Sequence, residues 1–322
     1  MPPHFFVSLP APSLSLLPPP TTTISLSLSS LSPPPPPTNR GRTTTVRSSM
    51  EDRRRSRVSL FPPLPHRDLM LDVISAVDSR LSPHLLPSSV PSDVLSFRNP
   101  TGSSLGSLDI RRGSPASSVD FMLESWLHCR LPTGALDITT LLAFLNGSTD
   151  APHLMMELIQ ASPTALVLLL DLLPRKDLPL HQHYLDDFYH RTQLDRQRQQ
   201  LESLPQVRPY RSPSLYVRSI FSPTAVAVAV DCGEGAESVM EDIVRARLGS
   251  VAREYVRVWS DECACSTKQM EASETAHMRR RDGLIKAKAI EIDLSANLPR
   301  LFGPDVSNRV VAEIQKAFGE QR

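Results

Sequence analysis

The chain has 322 residues, of which 40% are hydrophobic, with 35 Lys and Arg against 34 Asp and Glu and a formal net charge of +1. That is enough apolar material to close one large core or two small ones, and a balance this close to neutral argues against a domain-wide nucleic-acid footprint. The four cysteines, Cys129, Cys232, Cys263 and Cys265, are too few and too irregularly spaced for a disulfide scaffold and fit a reducing compartment.

The first fifty residues are rich in Ser, Thr and Pro, carry arginines at 40, 42 and 47, and hold no acidic residue before Glu51. Such composition reads as an organelle transit peptide, whereas a secretory signal needs a compact apolar core and a small-residue cleavage site. Residues 1–48 are assigned to it, with a plastid as first destination and a mitochondrion as second. Residues 49–64 carry Arg53-Arg54-Arg55 and then Pro62-Pro63 and read as linker, which leaves 65–322 as one domain. No apolar run reaches the roughly 18 residues of a membrane span.

Order is expected from about His66. Met70, Val73, Val77 and Leu81 fall on one stripe of a helix that ends before Pro83. Val119, Phe121, Leu123, Leu127, Cys129 and Leu131 alternate with Asp120, Glu124, His128 and Arg130, predicting a strand with one buried face and with Trp126 and His128 on its more polar side. Ala135 to Leu145 fits a strand or a helix. Leu154 to Gln160 and Ala165 to Asp171 flank a turn containing Pro163 and predict an antiparallel hairpin.

Further on, Tyr184, Leu185 and Phe188 mark a helical stripe, and a break near Thr192 separates them from Leu194, Leu201 and Leu204. Tyr216 to Asp231 reads as two strands interrupted at Ser222-Pro223. Val244, Leu248, Val251, Tyr255 and Val258 return to helical spacing, Leu284 to Leu294 forms a helix with Asp293 at its end, and Val306, Val310, Ile314 and Phe318 line the last helix. Pro304 suits its first turn and Gly319 its stop. Strands in the middle with helices before and after predict an α/β fold, a central antiparallel sheet covered by helices.

Glu157 stands in the oily run His153-Leu154-Met155-Met156-Glu157-Leu158-Ile159-Gln160, sharing a strand face with Met155 and Ile159. A buried glutamate resists ionising, so its pKa climbs from about 4.3 toward neutrality and the residue becomes a proton donor. The chain has no Gly-x-Gly-x-x-Gly, Walker loop, Gly-x-Ser-x-Gly or His-Glu-x-x-His, and only 12 glycines. Electrons for any redox step are therefore expected from another protein. Cys263-Ala264-Cys265 lacks a second pair of ligands, and His181 and His183 point apart on a helix while His190 lies further on, so no metal site is expected.

Seven strings, in order along the chain, resemble the red chlorophyll catabolite reductases, plastid relatives of the ferredoxin-dependent bilin reductases. They are Pro65-His66-Arg67-Asp68-Leu69-Met70, Ser125-Trp126-Leu127-His128-Cys129, Ser148-Thr149-Asp150-Ala151-Pro152-His153, Glu157-Leu158-Ile159-Gln160, Pro174-Arg175-Lys176-Asp177-Leu178, Val217-Arg218-Ser219-Ile220 and Asn297-Leu298-Pro299-Arg300-Leu301-Phe302-Gly303. Together with the last helix they span roughly residues 65–318.

The resemblance implies an α/β/α sandwich that reduces red chlorophyll catabolite, an open-chain tetrapyrrole, to a primary fluorescent chlorophyll catabolite. It implies reduced ferredoxin as donor, no flavin or metal of its own, and substrate between the sheet and the helices on one side. Its two acidic residues map onto Glu157 and Asp293, and Phe221 falls where the family's difference in product stereochemistry is attributed. It further implies a homodimer, a partnership with pheophorbide a oxygenase, a place in the chloroplast stroma near its membranes, and a part in senescence and in protection against cell death. Plastid ferredoxins are acidic, so the docking surface is expected at Arg279-Arg280-Arg281 with Lys286 and Lys288, or at Arg245, Arg247 and Arg253. The other reading is a non-catalytic carrier or scaffold that shields phototoxic tetrapyrroles; such a carrier needs neither Glu157 nor Asp293.

Overall fold

A computed structural model describes residues 54–132, 134–265 and 270–319, apart from the side chains of Ile292 and Asp293. The segment read as a transit peptide lies outside the described residues.

Alternating apolar residues through the middle of the chain build one antiparallel sheet. Its strands are β1 (Phe97–Arg98), β2 (Ser104–Arg112), β3 (Val119–Leu131), β4 (Gly134–Leu145), β5 (His153–Ser162), β6 (Ala165–Leu173), β7 (Val207–Pro209) and β8 (Val226–Asp231), in the order β1-β2-β3-β4-β5-β6-β8-β7. The first six form a meander. The hairpin expected around Pro163 is β5 and β6, paired with Leu158 opposite Leu168. The stretch from Ala135, open between strand and helix, is β4, paired to β3 along almost its whole length. Ile138, Thr139 and Thr140 favour that outcome, because β-branched residues pack well on a pleated surface.

The larger helices are α1 (Pro65–Leu81), α2 (Leu194–Glu202), α3 (Leu215–Ile220), α4 (Gly249–Val258), α5 (Ala272–Ala289), α6 (Ser295–Phe302) and α7 (Pro304–Phe318). On one face of the sheet, Trp126, Leu141, Met156 and Leu168 pack with Val73 and Val77 of α1 and Val251 and Tyr255 of α4. On the other, Phe121, Leu142, Met155 and Ile159 pack with Ile285 of α5, Leu298 and Phe302 of α6 and Ile314 of α7. The two clusters make an α/β/α sandwich, as expected.

Strand β3 corrects the expectation of a single buried face. Trp126 is 2% exposed and His128 is also buried, because α1 and α4 cover the side that reads as polar. The charges there are matched rather than solvated, as burial requires. Glu124 accepts from Nε and Nη2 of Arg54, each at 2.8 Å, and from Nη2 of Arg111 at 3.1 Å. His128 and Arg67 both meet Asp137.

The linker assignment for 49–64 is corrected in its described part. Residues 54–58 are helical, Arg54 is 4% exposed, and Val58 and Phe61 are buried. This segment is part of the domain, held by the arginine that neutralises Glu124.

Two more elements differ from the periodic reading. Tyr216 to Ile220 belongs to helix α3, not a strand, because the Ser214 hydroxyl accepts from the Val217 amide at 3.3 Å and caps the helix; Ser222-Pro223 still ends that element before β8. The helix from Leu284 does not stop at Leu294. It passes through a wide π-type turn at Ile290–Leu294 into α6, so Asp293 sits inside a continuous helical run, in a turn type often found at functional sites. Near Thr192, Gln193 takes a left-handed φ of 59° before α2, and α7 starts at Pro304 and stops at Gly319.

Candidate active site

Alternation along β5 sends Met155, Glu157 and Ile159 to the α5–α7 side of the sheet. The register places Glu157 opposite Thr140 of β4 and Leu169 of β6. Glu157 is 1% exposed, and Oε1 accepts a hydrogen bond from the Thr140 hydroxyl at 3.1 Å.

Glu157 lies in the wall of a cavity of about 200 Å³ between the sheet and α6–α7, open to the surface. Leu123, Ile138 and Leu142 form part of its floor, and Leu298, Leu301 and Ile314 part of its roof. The polar groups on it are few: Ser125, Thr140, Glu157, Asn297 and Arg300. Glu157 is the one carboxylate and Arg300 the one cation among the described lining residues. An apolar slot with a handful of placed polar groups suits a large, mostly apolar ligand that is to be oriented at one point.

Asp293 lies next in sequence to a wall of this site. Its neighbour Leu294 lines the cavity, on the helical wall across from the sheet that carries Glu157; the carboxyl of Asp293 lies outside the described residues. Phe221 sits at the end of α3, half-buried against the same hydrophobic cluster, and is not among the residues lining the cavity.

The residue next to Phe221 exposes an acid that the sequence reading passed over. Asp171 is 0% exposed and accepts from the Ser222 amide at 2.7 Å and from its hydroxyl at 2.5 Å. Burial pushes its carboxyl up to about 7, against the pull of the two Ser222 bonds. In the β5–β6 register it opposes Met155, one diagonal from Glu157 on the same face. The signal that singles out Glu157, an acid in an apolar run, is present at Asp171 too. Tyr210 was also missed; burial first and the charge of Glu157 second raise its phenol pKa.

A second buried group looks catalytic and is not. His153 Nε2 meets Asp282 of α5 at 3.0 Å, and Arg175 Nη2 donates to the same carboxylate at 2.7 Å. The other imidazole nitrogen, Nδ1, accepts from the Leu145 amide at 3.0 Å, so neither nitrogen is left to take a substrate proton. Burial holds His153 down at about 4, while His153 and Arg175 together hold Asp282 below the usual carboxylate range. The trio clamps α5 to the sheet.

The basic patches change as well. Lys286 is buried, with Nζ 2.8 Å from Asp120 and 5.0 Å from the centre of the Phe121 ring, which removes it from any docking surface. Arg245 is paired with Glu241 and Asp68. Among the described residues no group of three or more His, Cys, Asp or Glu could hold a metal ion. Cys263 is buried while Cys265 is exposed, His181 and His183 are exposed, and His190 meets Asp186 at 2.7 Å.

Residues 65–316 match the family model for red chlorophyll catabolite reductase (RCC reductase). The chain belongs to the red chlorophyll catabolite reductase family. A red chlorophyll catabolite reductase 1, chloroplastic, from Oryza sativa subsp. japonica is 55% identical over 258 residues, covering 80% of this chain and 78% of the relative. A red chlorophyll catabolite reductase from Hordeum vulgare is 57% identical over 203 residues, 63% of this chain and 99% of the relative. The chloroplastic red chlorophyll catabolite reductase of Arabidopsis thaliana is 44% identical over 275 residues, 84% and 86%.

Membership in the red chlorophyll catabolite reductases makes the chain an enzyme and supports a role in chlorophyll breakdown and a chloroplast location. The fold is shared more widely. A solved structure of phytochromobilin synthase from tomato in complex with biliverdin superposes with a TM-score of 0.59 at 16% identity, covering 77% of this chain and 83% of that one. Among the described residues no helix is long and apolar enough to cross a membrane.

Proposed function

We propose that this enzyme reduces red chlorophyll catabolite to a primary fluorescent chlorophyll catabolite in the chloroplast stroma, with electrons from reduced ferredoxin and protons from Glu157 and Asp293. The observation that carries the reading is Glu157 itself, a buried carboxyl in the wall of a largely apolar cavity. Two electrons and two protons are added to the substrate in all. An electron arriving alone leaves a tetrapyrrole radical anion, and a neutral carboxylic acid nearby delivers the proton that quenches its charge. Glu157 then carries the negative charge, and the Thr140 hydroxyl already points at the oxygen that must hold it. Asp293, beside Leu294 of the opposite wall, is the second donor.

Apolar residues on both walls keep bulk water from the reacting carbon, so the geometry of the donor decides where the proton lands. Phe221 lies outside the cavity lining and is assigned to face selection indirectly, through the hydrophobic cluster it packs against. No flavin or metal of the enzyme's own takes part in this scheme. Acidic ferredoxin docks at the basic surface of α5 that remains once Lys286 is set aside, Arg279 to Arg281 with Lys288. A homodimer working beside pheophorbide a oxygenase completes the reading.

The test is an anaerobic assay with red chlorophyll catabolite and reduced ferredoxin, followed by the appearance of blue fluorescence. Fluorescent product from the wild type and its loss in Glu157→Gln are expected. Tight binding of the catabolite without conversion by the wild type would make the chain a tetrapyrrole carrier instead.

A further inference from the structure

We propose that Phe97 sets the length of the tetrapyrrole pocket, as the partition between it and a second cavity at the edge of the sheet. The inference rests on the reading that the main cavity holds a linear tetrapyrrole. Phe97 lies on β1, the outermost strand, directly opposite Gly106 of β2. Its buried ring occupies the space that a side chain at Gly106 would take. A Cβ built there would stand 2.1 Å from Cε2 and 2.3 Å from Cζ of the ring. On its other side the ring meets Phe302 of α6 edge-on, with centroids 4.9 Å apart and planes at 70°.

The ring is thus wedged between the floor and the roof of the sandwich. An aromatic laid over a strand glycine is a known way to repair the packing that the glycine gives up. Here the same residue also borders two cavities. Phe97 lines the main cavity and also a second, walled by Leu60, Phe61, Leu105 and Gly106 among others. As the residue common to both walls, Phe97 is assigned as the barrier between them. Take the ring away and the slot opens at the sheet edge, round β1 toward Leu60 and Phe61 on the other face. Enlarge Gly106 and the ring must move, shortening the slot. Gly106 is needed for its missing Cβ, and Phe97 is the specificity-determining residue it accommodates.

The experiment is an absorbance titration of red chlorophyll catabolite and of two derivatives, each extended by a bulky amide at one or the other terminal pyrrole ring. The wild type is expected to bind the parent and to reject both derivatives. Phe97→Ala is expected to bind one of the derivatives at least tenfold more tightly than the wild type does, and Phe97→Leu to show a smaller gain, in line with the size of effect a hydrophobic wall can exert. Gly106→Ala is expected to weaken the parent at least threefold, with the fold checked by circular dichroism and melting. Should Phe97→Ala fail to fold, Phe97→Leu carries the comparison. Unchanged selectivity in the folded Phe97 variants overturns the partition. If the wild type binds none of the three, the tetrapyrrole reading falls, and this inference with it.

Discussion

The Thr140 hydroxyl donates to Oε1 of Glu157 at 3.1 Å, from the position directly opposite it on the neighbouring strand. The bond fixes the carboxyl on a rigid sheet and favours the charged form that proton donation leaves behind. Thr140→Val keeps the side-chain shape and removes the donor, so kcat is expected to fall about tenfold, the equivalent of one hydrogen bond, with KM unchanged. Glu157→Gln removes the proton altogether and is expected to cost at least about a hundredfold in kcat. Steady-state kinetics on both variants separate the two effects; an unaltered kcat in Thr140→Val would take that hydroxyl out of the site.

Phe221→Val is expected to change the ratio of product epimers while the enzyme still turns over. The valine leaves more room beside the second hydrophobic cluster, and the substrate can present its other face. Chromatographic separation of the epimers is the readout, and a product identical to that of the wild type would exclude Phe221 from face selection.

Asp171 is expected to titrate near 7. Its folded-state value lies above that of the unfolded chain, so between about pH 4 and 7 the folded state binds the extra proton. Stability therefore declines as pH rises through that window and levels off above it, by an amount on the order of 4 kcal/mol at most. Unfolding free energies measured across the window should show this slope in the wild type and lose it in Asp171→Asn.

His66 works in the opposite sense. Burial holds it at about 4 despite the hydrogen bond between Nδ1 and Gln160, so the unfolded chain binds more protons between pH 4 and 6.5. Stability is lost as pH falls through that range, by about 3 kcal/mol. His66→Asn keeps a donor near the Nδ1 position and cannot titrate; its acid unfolding should be shallower by about one proton.

Arg54 should matter to stability although it precedes the region matched by the family model. Arg54→Met leaves Glu124 buried with only Arg111 beside it, at an expected cost of about 3 kcal/mol. A chain starting at residue 65 should lose at least as much. Urea unfolding of both variants against the full chain is the check, and equal midpoints would return residues 54–64 to the role of a linker.

Much of the sandwich was legible because strand and helix periods are local properties. β3, β5, β6 and α7 follow directly from where the apolar residues recur. Glu157 stood out for the same reason, as an acid on an apolar face, and Asp171 between Leu170 and Leu172 carried that signal unread. The sequence strings also identified the family, since seven unusual segments in order are far more specific than any short motif.

What the sequence by itself determined, then, was most of the apolar core, the class of fold and the family. What covers a buried face is a different question, and only the tertiary structure answered it. Glu124 and His128 look like solvent-facing residues until Arg54 and Asp137 are brought to them. Leu215 to Ile220 is equally apolar as strand or helix until Ser214 caps it. The cavity that makes Glu157 more than a buried acid is assembled from strands and helices more than a hundred residues apart. Phe97 and Gly106, which close its end, face each other only because β1 and β2 pair. Periodicity reports only which faces of each element are apolar. Partners for charges and walls for cavities come from long-range contacts, which no local pattern encodes.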